Sequence, residues 1–150
     1  MVQENKQIAI IAGCTGLVGH ELLQLLQNDP TYKKIYCLVR SPRQLVGSKI
    51  VEKVIDFDQL PESLDSMSDA DTIFCCLGTT IKNVGGSQEA FRKVDHDYPV
   101  ALAKWGEKNN IKQFLVISAM GADPKSSIFY SRTKGEMERD IFELNIPSIT

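Results

Sequence analysis

The sequence predicts an α/β fold built on a doubly wound parallel sheet, and three observations predict it. Five short apolar runs recur, at residues 7–13, 34–40, 49–56, 72–78 and 114–119. Four of them are nearly continuous, which implies burial on both faces, as in a parallel sheet sandwiched between helices. Segments with apolar residues at helical spacing separate the runs, giving the order β-α-β-β-α-β-α. Right-handed crossovers then favour the spatial strand order 3-2-1-4-5.

Each element has its own justification. After the first run, Val18, Leu22, Leu25 and Leu26 recur at helical spacing, and Asn28-Asp29-Pro30 stops that helix. The run at 49–56 is mixed rather than continuously apolar, which suits an edge strand. Pro99 sits near the start of a helix carrying Ala101, Leu102 and Trp105. A last helix is expected over 130–143, and 145–150 reads as a turn leading into a sixth strand. That ending predicts a C-terminally truncated domain, residues 1–150, whose substrate-side region is absent.

Composition narrows the function classes. With 150 residues, 43% of them hydrophobic and 24% charged, one soluble core is expected. A net charge of −2 offers no electrostatic footprint for nucleic acid or an anionic membrane surface. No apolar run approaches the roughly 20 residues that span a bilayer, and residues 1–7 are polar, so a cytoplasmic location is expected. The expected partner is a small-molecule substrate, with a homodimer or a protein partner left open. Cys14, Cys37, Cys75 and Cys76 lack metal-ligand spacing, and three of them lie in apolar runs, as structural thiols do.

The first run is followed at once by Gly13-Cys14-Thr15-Gly16-Leu17-Val18-Gly19, which opens the first helix. In such a turn the first glycine allows the tight bend, the second lets backbone approach a pyrophosphate, and the third allows close helix packing. The helix start supplies free N–H groups and partial positive charge. The spacing alone also occurs in ordinary strand-to-helix turns; the flanking strand and helix favour dinucleotide binding. A triphosphate-binding loop is excluded, because His20 and Glu21 stand where Lys and Ser or Thr are needed.

The second run ends in Leu38-Val39-Arg40, with Ser41 and Arg43 beyond. An acidic residue there would accept bonds from a ribose 2′-hydroxyl, whereas guanidinium and hydroxyl donors suit a 2′-phosphate, so NADP(H) is expected over NAD(H). Asp56 and Phe57 would flank the adenine, and Leu77-Gly78-Thr79 would lie beside the nicotinamide ribose. In the last helix, Tyr130 and Lys134 are four residues apart and share one side. The helical wheel puts Lys134 in the apolar stripe with Met137, Ile141 and Leu144, where an ammonium must snorkel to solvent or find a partner. Next to Tyr130 it would favour the ionised phenol. Ser118, at the end of the fifth run, would orient a carbonyl. Ser118, Tyr130 and Lys134 are therefore the candidate catalytic set.

These glycines, with Tyr130-x-x-x-Lys134 and an upstream serine, resemble the short-chain dehydrogenases, which have Rossmann folds. More narrowly, the chain resembles the atypical branch containing the Tat-interacting, tumour-suppressor-like oxidoreductases. The likeness lies in Phe74-Cys-Cys-Leu-Gly-Thr-Thr80, Val94-Asp95, Asp97-Tyr98, Ser118, Gly121-Ala-Asp123 and Lys134-Gly-Glu136. It implies NADPH binding, a catalytic Ser118, Tyr130 and Lys134, and a longer chain. The leading expectation is an NADPH-dependent oxidoreductase acting on a carbonyl or alcohol, with Tyr130 as the acid. The alternatives are a non-catalytic NADPH-binding regulatory module and a nucleotide-sugar epimerase, the latter disfavoured by Arg40.

Overall fold

The computed structural model describes residues 5–150. Among them, six strands form one parallel sheet: β1 (Gln7–Ala12), β2 (Tyr32–Val39), β3 (Ile50–Val54), β4 (Thr72–Cys75), β5 (Gln113–Val116) and β6 (Ser148–Ile149). Their order is β3-β2-β1-β4-β5-β6, so the mixed run is the edge strand the sequence predicts and the sixth strand pairs beside β5. The helices are α1 (Leu17–Asn28), α2 (Gln88–Arg92), α3 (Tyr98–Lys108) and α4 (Phe129–Phe142).

Alternation along each strand sends neighbouring side chains to opposite faces, and both faces are covered. Ile10, Leu38, Ile73 and Phe114 meet Leu102 and Trp105 of α3 and Met137 and Ile141 of α4. Ala9, Ile11, Ile35 and Cys37 meet Leu23 and Leu26 of α1 on the other face. This two-sided burial is the physical source of the continuous apolar runs.

Several boundaries differ from the sequence reading. β4 ends at Cys75 rather than at 78, and the residues that follow are loop. Short 3-10 segments, Phe57–Gln59 and Glu62–Met67, fill the crossover to β4. α2 runs through a π-helical turn, Lys93–Asp97, directly into α3, so Pro99 lies inside a longer helical stretch. Such a turn has no hydrophobic period of its own, and Pro at the start of α3 is tolerated because it follows that irregularity.

The inward stripe of α1 also differs. Gly19, Leu23 and Leu26 face the sheet, while Val18 and Leu25 are exposed. Leu17, Val18, Leu22 and Leu25 instead edge an apolar cavity beside β4 and β5. Counting apolar residues alone could not separate these two stripes, because each has helical spacing.

Candidate functional site

β1 has β2 on one side and β4 on the other, and the chain leaves its C-terminal edge toward opposite faces of the sheet. A crevice must open at such a switch point. Here it is a cavity of about 400 Å³, bounded by the glycine turn, the end of β2, the loop after β4 and the start of α3.

The glycine turn is built by close backbone approach. Gly13 has φ +83°, and a Cβ on it would lie 2.5 Å from the Cys76 carbonyl oxygen. A Cβ on Gly19 would lie 1.9 Å from the Gly13 carbonyl oxygen, so only hydrogen lets α1 start this near β1. Gly16 is different: a Cβ there would meet nothing nearer than 3.5 Å, leaving open space above it. Gly16 caps α1 without a side-chain bond, and its own N–H donates to the Gly13 carbonyl at 3.1 Å. The amides of Leu17, Val18 and Gly19 open the helix and have no partner within it. Open space over a glycine at a free helix start fits a dinucleotide diphosphate.

The other predicted cofactor residues divide. Gly13, Thr15, Gly16, Arg40, Arg43 and Phe57 border the crevice, as do Leu77, Gly78 and Thr79. Leu17 and Val18 turn their side chains to the apolar cavity beside β4 and β5, and their backbone amides are what the helix start offers. Gly19 acts by packing. Ser41 and Asp56 are exposed and lie outside the crevice wall, and Asp56 is occupied with capping the 3-10 turn, accepting from the Asp58 N–H at 2.9 Å.

The sequence reading missed Tyr98 as a wall of the crevice. Its ring packs against Phe57 with centroids 5.5 Å apart, and its hydroxyl donates to Asp58 at 2.8 Å. Burial and that bond push the phenol up to about 12, so it remains a donor at neutral pH. Lys93 closes the cluster with an ion pair to Asp58 at 2.9 Å. Asn83 and Val84, from the turn at 81–86, complete the far wall.

The catalytic candidates lie at the sheet edge and on α4. Lys134 is in the inward stripe, 4% exposed, with Met137 and Ile141. Its ammonium bonds the Asp95 carboxylate at 2.7 Å, not the Tyr130 phenol. A full opposite charge in a dry site is a stronger partner for a buried ammonium than a neutral hydroxyl. Tyr130, in the first turn of α4, is 43% exposed and packs against Phe91 in a tilted arrangement with centroids 5.6 Å apart. The Ser118 hydroxyl oxygen is buried with no hydrogen-bond partner among the described residues, an uncompensated desolvation that a ligand could relieve. The loop carrying it is tied to α4 through the Asp123 N–H, which donates to the Ser131 carbonyl at 3.0 Å.

Asp95 lies in the π-helical turn, and the stretch from α2 through that turn is bound to α4 by three side-chain contacts. Arg92 pairs with Glu136, Asp95 with Lys134, and His96 with Asp140 at 2.7 Å. His96 also meets the Asp97 carboxylate at 2.7 Å. A lysine forecast to be buried demanded a carboxylate partner, and that demand was the available signal for Asp95.

A family model described as "Semialdehyde dehydrogenase, NAD binding domain" matches residues 7–85. The chain is 35% identical over 139 residues to "Protein FMP52, mitochondrial" of Eremothecium gossypii, covering 91% of this chain and 60% of that protein. It is 30% identical over 150 residues to "Protein HTATIP2" of Rattus norvegicus, covering 98% of this chain and 61% of the relative. The chain thus spans about three fifths of the length of these relatives. Among solved structures, the oxidoreductase ylbE from Lactococcus lactis matches with a TM-score of 0.74 and 25% identity, over 95% of this chain and 67% of that one.

One expectation is overturned here. The cytoplasmic location does not stand, because the FMP52 relatives from several yeasts are named mitochondrial. The expectation rested on a polar start, residues 1–7, of which 1–4 lie outside the described residues.

A glycine-cradled crevice at the switch point of a 3-2-1-4-5-6 parallel sheet and these matches agree, and the chain belongs to the family of semialdehyde dehydrogenase-type NAD-binding domains, in the atypical short-chain dehydrogenase-like branch of Rossmann proteins.

Proposed function

We propose that this domain binds NADPH and serves an oxidoreductase of the short-chain dehydrogenase type acting on a carbonyl or alcohol. The observation that carries the reading is the charge layout of the crevice: free helix amides over Gly16 at one end, and Arg40 and Arg43, with no carboxylate among the wall residues, at the end of β2. The amides of Leu17, Val18 and Gly19, with Thr15, receive the diphosphate. Arg40 and Arg43 receive the 2′-phosphate, and Phe57 with Tyr98 flanks the adenine. Leu77, Gly78 and Thr79 support the nicotinamide ribose. The nicotinamide, when bound, supplies the hydride chemistry. Ser118 orients the substrate oxygen, Tyr130 exchanges a proton with it, and Lys134 binds the ribose.

The test is NADPH and NADH titration of wild type, Arg40→Ala/Arg43→Ala and Gly16→Val. Losing charge-assisted bonds to a phosphate should weaken NADPH binding by about tenfold to a hundredfold in the arginine variant, with NADH changed by less than about threefold. Gly16→Val should fold and bind neither. Equal loss of both coenzymes in the arginine variant would assign those side chains to stability and not to the 2′-phosphate.

The turn at 81–86 supports a lid role. Asn83 and Val84 face the crevice, and Gly85 and Gly86 have φ +65° and +82° with nothing near their Cβ positions. Tryptic cleavage after Lys82 is expected to slow at least several-fold when NADPH is added. An unchanged cleavage rate in saturating NADPH would make this a plain surface turn.

One observation favours a second reading, a regulatory module in which NADPH occupancy is the signal. Lys134 is committed to Asp95, and Tyr130 is exposed. Binding of NADPH without turnover by a protein extended to the length of its relatives would select this reading.

A further inference from the structure

We infer that Glu52 is a specificity-determining positioning residue: it holds the loop that carries Arg43 and so sets the preference for a 2′-phosphorylated dinucleotide. This rests on the NADPH reading above and adds to it the residue that places the guanidinium. The described crossover from β2 to β3 contains no helix, so residues 41–46 have no regular structure to fix their backbone. Glu52, on the edge strand β3, fixes it from outside. Its Oε2 accepts the Arg43 N–H at 3.2 Å, and its Oε1 accepts the Leu45 N–H at 3.0 Å. Among the described residues, the backbone of 41–46 makes no other hydrogen bond.

Gln44 lies between the two bonded amides with φ +55°, a left-handed conformation that a residue with a Cβ disfavours. That conformation turns the N–H groups on either side of it toward one point, the concave arrangement of amides that binds anions. Here the anion is the protein's own carboxylate. Glu52 stands in register with Cys37, which is buried under α1, and Leu45 packs on the same buried cluster. Loss of the carboxylate therefore frees the turn at Gln44, while Leu45 still keeps the loop on the sheet.

The arrangement also preserves the charge of Arg43. Glu52 spends both oxygens on amides, and the Arg43 guanidinium takes part in no ion pair among the described residues. A carboxylate paired with the guanidinium would cancel the charge that a phosphate needs. One captured by main-chain N–H groups holds the loop and leaves that charge available at the crevice wall, which Arg43 borders and Glu52 does not.

The sign of one substitution separates this role from simple charge. Glu52→Gln keeps the shape and removes a negative charge near Arg43, so an effect through the field alone would tighten NADPH binding. Positioning predicts the opposite, because the amide keeps one acceptor and turns an NH₂ toward the second N–H. NADPH and NADH are titrated into wild type, Glu52→Gln, Glu52→Ala, Arg43→Ala and Glu52→Ala/Arg43→Ala. The expected NADPH affinity is about threefold lower for Glu52→Gln and about tenfold lower for Glu52→Ala, with NADH changed by less than about twofold in both. In the Arg43→Ala background, Glu52→Ala should change NADPH affinity by less than about twofold.

Tighter or unchanged NADPH binding by Glu52→Gln, an equal loss of both coenzymes, or multiplicative losses in the cycle would overturn the inference and leave Glu52 a structural contact only. A wild type that binds NADPH no more tightly than NADH would instead overturn the NADPH reading, and this inference with it. Glu52 is partly exposed on the edge of the sheet, so its variants are expected to fold. If Glu52→Ala does not, the nearly isosteric Glu52→Gln still decides the matter.

Discussion

Gly19→Ala is expected to lose about 3 kcal/mol or more of stability together with all dinucleotide binding, the largest effect of any single methyl addition in the glycine turn. The added Cβ would sit 1.9 Å from the Gly13 carbonyl oxygen and 2.7 Å from its carbonyl carbon, both backbone atoms that no rotamer change can move aside. Relief requires α1 to retreat from β1, which strips Leu23 and Leu26 from Ile11 and Cys37 and carries the free amides away from the crevice. Gly16 provides the control within the same turn. Its φ of −80° suits any residue and its Cβ site is open, so Gly16→Ala should cost within about 1 kcal/mol. Urea denaturation checks both. Equal stability of the two variants would mean that the close packing of α1 on Gly13 is not what holds the turn.

The second large effect concerns Lys134→Met. Removing one partner of a buried ion pair leaves the other charged and dry, at a cost of about 3–5 kcal/mol. Asp95 is the orphan here, with only the Thr79 amide left to stabilise it. The double variant Asp95→Asn/Lys134→Met removes both charges and should recover most of the loss, since neutral replacement of a buried pair is often close to energetically neutral. Chemical denaturation of the single and double variants reads this directly. A Lys134→Met protein as stable as wild type would mean that the ammonium faces solvent, contrary to its burial against Met137 and Ile141.

The sheet was legible because its cause is local and repeated. Both faces of β1, β2 and β4 are buried, so their residues are apolar without alternation, and the glycines of the first turn are fixed by contacts within a few residues. The less polarised edge strand and the inward stripe of α4 followed from the same rule. The segments misread are those whose shape has no period. The π-helical turn at Lys93–Asp97, the 3-10 segments after β3 and the early end of β4 depend on what packs against them.

The amino-acid sequence by itself determined the doubly wound sheet, the place of the dinucleotide crevice and the burial of Lys134, because hydrophobic periodicity and glycine spacing act over short stretches of chain. Only the tertiary structure decided that Lys134 is paired with Asp95, 39 residues earlier, that Tyr98 lines the crevice, and that the Leu17 and Val18 side chains turn away from it. Partner choice for a buried charge is settled by distance and desolvation in three dimensions, and neither is written in the spacing of residues along a chain.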